Sequence, residues 1–149
     1  MLPHITIPNT DGSPYLTRYF LFGADRKLCN VFIHHFHSSD LDKGTGGYGL
    51  LHSHPWLGFS LILSGGYIEE RMRMYSINDK NHSAISSKVV LPLSFNYLAR
   101  NDLHRVDLIG KDAWSIFFTG SRSAKRDWFF WDRITKKKID WREKVGAVA

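Results

Sequence analysis

The chain alternates short apolar segments with clusters of turn-forming residues, a pattern that predicts β-strands rather than helices. The apolar segments are rich in β-branched and aromatic residues, and they recur at intervals of about ten residues. They are residues 15–22, 28–36, 58–63, 67–75, 88–91, 95–99, 103–109 and 114–119. No segment keeps a helical apolar period for more than about two turns. We therefore expect an all-β fold, built as a small antiparallel barrel or a sandwich.

Several stretches depart from this pattern. Residues 1–14 hold three of the five prolines and should form an irregular or extended lead-in along an edge. Residues 23–26 are expected to form the turn between the first two strands, and residues 77–87, which are polar, a loop. Residues 128–141 carry aromatic residues on both sides of a lysine run, which favours a C-terminal hairpin over a short helix.

Residues 38–49 form a polar segment with four glycines. A glycine-rich loop can cradle phosphate, but this one lacks the Gly-Lys-Ser/Thr ending and no helical pattern follows it. We expect it to form a rim or lid over whatever the next residues bind.

Composition limits the architecture and the compartment. A chain of 149 residues with 43% hydrophobic content is long enough for one core, so we expect a single domain over residues 1–149. No apolar run approaches the roughly 18–20 residues of a membrane span, and residues 1–10 lack the features of a signal peptide. The expected location is the cytoplasm, without membrane attachment. The single cysteine, Cys29, lies in an apolar segment and is expected to be a buried thiol.

The net charge of +6 and the pI of about 9.5 raise the question of an anionic partner. Most lysines and arginines are scattered along the chain, and the one compact run is Lys136, Lys137 and Lys138. Aromatic and apolar residues flank that run closely, which favours a solvated turn. Nucleic acid is therefore not the expected partner.

The most informative local pattern is the pair His52 and His54. Side chains alternate along a strand, so two histidines separated by one residue point the same way, roughly 6.6 Å apart. Two imidazoles in this arrangement can bind one metal ion. His104, near the start of a later strand, is the candidate third ligand. The alternative is three ordinary histidines satisfied by hydrogen bonds.

Four segments in this order resemble the cupin superfamily, and more narrowly a group of short cupin-like proteins of bacteria and phages. They are His52-Ser53-His54-Pro55-Trp56, residues 60–67 with Glu69, residues 103–106 and residues 114–120. The resemblance implies a small jelly-roll-like barrel with a mononuclear metal on His52, His54 and His104. It also implies oxygenase chemistry, with Fe(II) as the first choice and Mn, Ni, Cu or Zn as alternatives.

The chain departs from the usual cupin motif at one place. The first motif of the superfamily usually has a glutamate shortly after its second histidine, and here those positions hold Gly58 and Phe59. Glu69, on the next strand, is the candidate replacement ligand. Alternation puts Glu69 on the same face as Tyr67 and Arg71, so an ordinary ion pair between Glu69 and Arg71 is the alternative.

Two functions from different classes remain. The leading hypothesis is a metal-dependent enzyme acting on a small organic molecule, in which Tyr67 or Arg71 steers an anionic or hydroxyl group. Trp56 and His34 are further candidate pocket residues, although a core tryptophan and a buried hydrogen-bonded histidine are the alternatives. The second hypothesis is a non-enzymatic cupin that binds a nucleotide or sugar phosphate. A homodimer is among the expected assemblies.

Overall fold

The computed structural model describes residues 2–22, 29–78, 80–100, 102–123 and 128–145. The strands are β1 (His4–Pro8), β2 (Pro14–Phe20), β3 (Asn30–Phe36), β4 (Leu51–His52), β5 (Gly58–Ser64), β6 (Tyr67–Ile77), β7 (Lys80–Val90), β8 (Phe95–Leu98), β9 (Leu103–Leu108), β10 (Ala113–Thr119), β11 (Phe129–Asp132) and β12 (Lys137–Asp140). A short 3₁₀ turn (Thr45–Gly47) and a terminal helix, α1 (Trp141–Val145), complete the described elements.

The strands form two six-stranded sheets whose pairings are antiparallel. The first sheet has the order β1-β2-β3-β10-β5-β8, and the second has the order β12-β11-β4-β9-β6-β7. The chain passes repeatedly from one sheet to the other, so strands far apart in sequence become neighbours. The expected all-β antiparallel barrel is confirmed.

A hydrophobic core joins the two sheets. Four strands of the first sheet, β3, β5, β8 and β10, direct alternate residues inward, as the burial of Ser115, Phe117 and Thr119 along β10 illustrates. The central cluster takes Leu16, Phe36, Ile62 and Ala113 from the first sheet and Tyr67, Val90 and Val106 from the second. Side chains from both sheets therefore share one interior.

The prediction of a loop at residues 77–87 is wrong. β6 and β7 pair along their whole lengths as a hairpin, from Tyr67 opposite Val90 to Ile77 opposite Lys80. Every residue of β7 before Val90 is exposed, so the strand has no buried face to impose an alternating pattern on its sequence. Backbone pairing with β6, rather than burial, makes this segment a strand.

The chain termini and the first turn complete the comparison with the sequence. Within residues 1–14, β1 pairs with β2 at the edge of the first sheet, and β11 pairs with β12 near the other end of the chain. The turn expected at residues 23–26 lies outside the described residues. Cys29 is exposed, so the expectation of a buried thiol is wrong.

The loop at residues 38–49 is attached more firmly than a lid would be. Its first part runs along β9: the Asp40 N–H donates to the Val106 carbonyl at 2.9 Å, and the Leu108 N–H donates to the Ser39 hydroxyl at 2.8 Å. These bonds carry Asp40 and Asp42 into the interior. No helix in the described ranges is long and apolar enough to cross a membrane.

Candidate metal centre

Three histidine side chains lie within reach of one point. His52 ends β4 and is the register partner of His104 on β9, so strand pairing brings their ring centres to 4.5 Å. The ring of His54 lies 5.0 Å from that of His52 and 5.1 Å from that of His104. One ring nitrogen from each histidine lies within 4.8 Å of the other two.

The local backbone explains why His52 and His54 face the same way even though β4 ends at His52. Ser53 between them is held against β11, because its N–H donates to the Phe129 carbonyl at 3.0 Å and its hydroxyl accepts the Phe129 N–H at 3.1 Å. With Ser53 fixed on that side, the two flanking histidines turn to the other side. The alternation expected from the sequence thus persists beyond the strand.

The donor set suits a metal ion. Burial lowers the pKa of His52 and of His54 well below the ordinary value of 6.5, and nearby histidines and arginines lower both further. Both rings are therefore neutral near pH 7, and each offers a nitrogen lone pair. The Nε2 atoms of His54 and His104 are 2.9 Å apart, a distance at which one ring can donate a hydrogen bond to the other. The same distance is close to the roughly 3 Å expected for two nitrogens on one ion.

Glu69 lies behind His104. The carboxylate is 1% exposed, and its Oε1 accepts the Nδ1–H of His104 at 2.7 Å. Burial alone would raise the pKa of Glu69, but the contacts with His104 and Arg71 outweigh burial and lower it. A neutral His104 that donates from Nδ1 to Glu69 would carry its lone pair on Nε2. In the described part of the chain, the group of side chains close enough to hold one ion comprises the three histidines without Glu69.

Arg71 belongs to a buried polar network rather than to the wall of the cavity between the two sheets. Its guanidinium donates to Glu69 Oε2 at 2.7 Å, to Asp102 Oδ2 at 3.1 Å and to Asn96 Oδ1 at 3.1 Å. Asn96 in turn donates to the Tyr67 hydroxyl at 3.3 Å. Arg71 and Glu69 thus share one face with Tyr67, as expected, and the ion pair left open by the sequence is present.

A cavity of about 610 Å³ lies between the sheets and includes the three histidines in its wall. Of the four residues predicted to contact a ligand, Trp56, Tyr67 and His34 line this cavity and Arg71 does not. Most of the remaining wall is apolar, contributed among others by Phe20, Phe32, Phe36, Leu98, Val106 and Phe117. Volume and lining are typical of a small-molecule site.

Trp56 and His34 have specific contacts in this wall. The indole of Trp56 stacks on His54 with ring centres 5.7 Å apart, and its buried N–H lacks a hydrogen-bond partner among the described residues. The ring of His34 stacks on Phe117 at 4.8 Å. Burial, followed by the charge of Arg18, lowers the pKa of His34 well below 6.5, so this ring is also neutral.

The sequence did not reveal Asp40 as a residue of the site. Its Oδ2 lies 3.5 Å from Nδ1 of His52 and accepts the Val106 N–H at 3.0 Å. Burial, the largest influence, raises the pKa of Asp40 to about 7. In the sequence Asp40 follows two serines in a polar loop, where an aspartate usually serves a turn.

Arg18 is the second residue that sequence reasoning missed. It lines the cavity from β2, and its Nε–H donates to Nε2 of His34 at 3.0 Å. A signal was present in the sequence: Leu16, Arg18 and Phe20 share one face of a strand by alternation, which places a cation among apolar inward positions.

His35 and His37 repeat the spacing of His52 and His54 but face away from the cavity. Nε2 of His35 lies 2.9 Å from Asp112, and its ring stacks on Trp114 at 3.9 Å. Nε2 of His37 lies 2.7 Å from the Thr17 hydroxyl. Each ring therefore has a polar partner on the outer surface of the first sheet.

Comparison with known proteins reveals similarity of structure rather than of sequence. No protein-family model matches the sequence, and no curated protein matches it. Fe(II)-HppE with the alternative substrate (S)-1-HPP matches with a TM-score of 0.53 at 11% identity, over 79% of this chain and 55% of that one. Streptomyces albus HEPD, with 2-hydroxyethylphosphonate and Fe(II) bound, matches with a TM-score of 0.53 at 12% identity, over 83% of this chain and 25% of that one.

The chain therefore spans about half of HppE and a quarter of HEPD. At such low identity the similarity describes the fold alone. Both enzymes have cupin folds, so the two sheets described above form a barrel of the cupin type. The three histidines lie inside that barrel at a spacing that could hold one metal ion.

Proposed function

We propose that this chain is a mononuclear metal protein in which His52, His54 and His104 hold a divalent ion, and that it acts as an oxygenase-like enzyme on a small organic molecule. The observation that carries the proposal is the convergence of three histidines with lone pairs on the wall of an apolar cavity. Fe(II) is the first choice, and Mn, Ni, Cu or Zn are alternatives for a nitrogen donor set.

The arrangement leaves room for chemistry. Three protein ligands leave coordination positions that a substrate or water can take on the cavity side. A bound ion there supplies Lewis-acid or oxygen-activating chemistry. Apolar side chains contribute most of the wall, and Trp56 limits the space next to His54.

Glu69 has a defined part in this proposal. It holds the Nδ1 proton of His104 and so keeps the Nε2 lone pair aimed at the ion, a contact common behind metal-bound histidines. Arg71 fixes the carboxylate from its other oxygen. We propose that Glu69 is a positioning residue rather than a ligand, and that Arg71 supports it rather than contacting the substrate.

The similar structures support the choice of metal and partner. HppE carries Fe(II) with a substrate, and HEPD carries Fe(II) with 2-hydroxyethylphosphonate. A small-molecule partner and Fe(II) are therefore reasonable for a chain with the same fold and a three-histidine cluster. The particular reaction does not transfer, because one fold supports many chemistries.

Metal content tests the site. Protein without a histidine tag is loaded anaerobically with Fe(II) and desalted, and its iron content per chain is measured by elemental mass spectrometry. One ion per chain is expected in the wild type, with loss in His52→Ala and in His104→Ala. His37→Ala is the matched control, because it belongs to the outward pair with the same spacing. Unchanged metal in either of the first two folded variants refutes the assignment.

Turnover is tested separately from binding. The Fe(II)-loaded protein is mixed with pools of small organic acids and alcohols, and oxygen consumption is recorded after air is admitted. Consumption that depends on His104 supports an oxygenase. No consumption with any pool, together with an intact small molecule retained in native mass spectrometry, favours the non-enzymatic binder of a nucleotide or sugar phosphate instead.

We also propose a homodimer through the outer face of the first sheet. Two rows of apolar residues cross β10, β5 and β8 on this face. The first row is Phe118, Phe59 and Tyr97, and the second is Ile116, Leu61 and Phe95. At about 200 Å² per aromatic residue, the exposed parts of Phe95 (58%), Tyr97 (53%) and Phe118 (42%) total about 300 Å².

The half-buried residues of the two rows, Phe59, Leu61 and Ile116, and the exposed Leu63 bring the exposed apolar area of this outer face to the order of 500 Å². A standard interface buries about 800 Å² per partner, of which a little over half is apolar. The face therefore supplies about the apolar area that a self-complementary dimer needs, and β8 lies at the edge of its sheet.

Four further predictions concern the domain count, the family, the location and nucleic-acid binding. The shared interior of the two sheets supports the proposal that residues 1–149 form one domain. We propose that the chain belongs with the short cupin-like proteins of bacteria and phages that carry the motif His-x-His-Pro-Trp. A cytoplasmic location and the absence of nucleic-acid binding stay predictions. Of the run expected to form a solvated turn, Lys136 lies in the turn between β11 and β12, whereas Lys137 and Lys138 begin β12; all three are exposed.

A further inference from the structure

We propose that Asp42 binds a protonated amine in the cavity, so that the ligand of this protein carries an ammonium group on an apolar aryl or alkyl body. The inference deepens the proposed function and rests on it in treating the cavity as the substrate site. It does not require a metal to be bound. Asp42 lies outside the three-histidine cluster, so the ammonium group is distinct from any group of the ligand that the ion would hold.

The loop at residues 38–49 turns two carboxylates inward and a leucine outward. Asp40 and Asp42 are buried and line the cavity, whereas Leu41 between them is 45% exposed. A slip of one residue would bury the leucine and expose both carboxylates. The backbone holds the opposite register, in part because the Leu50 N–H donates to the Asp42 carbonyl at 2.9 Å. Such a conflict between side-chain polarity and burial is typical of a functional site.

The two carboxylates differ in their partners. Asp40 accepts the Val106 N–H and lies 3.5 Å from Nδ1 of His52. Asp42 is 8% exposed, its Oδ1 is shielded from solvent, and no hydrogen bond or ion pair joins its side chain to a described residue. A carboxylate loses its hydration on burial and needs a donor in exchange. The described part of the chain does not supply that donor to Asp42, so a ligand in the cavity is its source.

Charge favours a cation over a neutral donor at this position. The negative charge of Asp42 acts on both Asp40 and Tyr15. Burial, followed by the charge of Asp40, raises the pKa of Tyr15 well above 10, so this phenol stays neutral and adds no positive charge. An ammonium group would donate hydrogen bonds and also offset negative charge, in surroundings where charges interact more strongly than in water.

The rest of the wall suits the apolar body of such a ligand. Phenylalanine, leucine and valine side chains from both sheets contribute most of it. Arginines also line the cavity, but in the described ranges no hydrogen bond or ion pair joins Asp42 to any of them: Arg18, Arg122 and Arg142. An amine with an aryl or alkyl body therefore places its charge at Asp42 and its body against the apolar wall.

The test compares amines with alcohols of the same shape. The probes are 2-phenylethylamine and hexylamine, each paired with its alcohol, and binding is measured by calorimetry near neutral pH on metal-free and Zn(II)-loaded protein. Each amine should bind about 10–100-fold more tightly than its alcohol, the range for hydrogen bonds to charged groups. The preference should appear in the metal-free protein, which separates Asp42 from an amine nitrogen bound to the metal.

Variants locate the effect. Asp42→Asn should bring amine affinity down to that of the alcohol while alcohol affinity stays within about twofold. Asp42→Glu keeps the charge on a longer side chain and should retain part of the preference. Asp112→Asn is the control, because Asp112 is half exposed and pairs with His35 on the outer surface of the first sheet. Circular dichroism establishes that each variant is folded.

Thermal melting separates a binding role from a structural one. Because the carboxylate of Asp42 lacks a partner among the described residues, neutralising it in Asp42→Asn should leave the melting temperature of the ligand-free protein unchanged or raise it. A clearly lowered melting temperature would mean that the carboxylate is paired within the protein, and it would overturn the proposal.

The binding outcomes separate this proposal from the metal site. Equal binding of amine and alcohol by the wild type, no binding of either amine, or a preference unchanged in Asp42→Asn overturns the amine subsite. If the amine preference is present in metal-free protein but the wild type fails to take up metal, the subsite stands and the metal proposal fails. If metal binds and the preference is absent, the reverse holds.

Discussion

Replacing Glu69 with glutamine tests how the metal centre is held together. The carboxylate is almost fully buried and accepts two charged or polar donors at 2.7 Å, the Nδ1–H of His104 and the guanidinium of Arg71. Glutamine has the same shape but one acceptor oxygen. The NH2 of its amide must therefore face one of these donors, so either His104 loses its acceptor or Arg71 loses one of its three acceptors.

The expected effect is large enough to measure. Loss of a partner behind a metal-bound histidine typically costs 10–100-fold in metal affinity, which corresponds to about 1.4–2.8 kcal/mol. An unsatisfied buried donor costs about 1–3 kcal/mol of folding stability as well. We therefore expect Glu69→Gln to weaken metal binding and to lower the free energy of unfolding of the metal-free protein.

Metal affinity is measured with Zn(II) against a competing chelator, and stability by urea denaturation. Glu70→Gln is the matched control: Glu70 is the next residue on β6, points outward and pairs with Arg133 at 2.7 Å. Its substitution should leave metal affinity within about twofold. An affinity that is equally unchanged in Glu69→Gln refutes the positioning role, and a loss far beyond 100-fold would make Glu69 a ligand instead.

Three further changes have defined outcomes. Burial lowers the pKa of His34, so below pH 6.5 the unfolded chain takes up a proton that the folded chain does not, and stability falls with falling pH. His34→Phe should therefore reduce the loss of unfolding free energy between pH 6.5 and 5.5 by about 1 kcal/mol. Substitution of the exposed His82 is the control and should not have this effect. Phe118→Asp should convert a dimer into a monomer in analytical ultracentrifugation, and a wild-type monomer at micromolar concentration contradicts the interface. Gly58→Ala should destabilise the fold by about 1–3 kcal/mol through overlap with the Phe117 ring, and unaltered urea denaturation would show that the cavity wall can yield.

The fold could be predicted from the sequence where strands bury one face. In β10, Ser115 and Phe117 face inward while Trp114 and Phe118 do not. Such strands can be recognised in the sequence by their aromatic and β-branched residues. Residues 80–87 of β7 could not be predicted in this way, because they are exposed on both faces and are held by their backbone bonds to β6. Sequence patterns record burial more directly than they record pairing.

The same distinction applies to the candidate site. His52 and His54 are visible in the sequence because their spacing is local, and His104 because it stands alone at the start of a strand. Asp40 reaches His52 through bonds between a loop and β9, and no local pattern encodes that contact. Arg18 and His34 lie on adjacent strands, and their hydrogen bond depends on the register of β2 against β3.

Gly58, one of the two positions at which the cupin motif that the sequence resembles has a glutamate, leaves no room for a side chain. A Cβ atom at Gly58 would overlap the ring of Phe117, which is 5% exposed and lines the cavity. A glutamate at this position and a phenylalanine at 117 therefore exclude each other in this barrel. The ring of Phe117, part of the apolar wall, occupies the space beside Gly58. The acidic side chains of the site lie behind the histidines instead.

The absence of a glutamate ligand would affect the charge of a bound ion. A divalent ion held by three neutral histidines keeps its double positive charge, whereas a glutamate ligand would halve it. Glu69 is already compensated by Arg71, so it offsets little of that charge. An ion held in this way would therefore present most of its charge to a ligand, which favours an anionic group on that ligand.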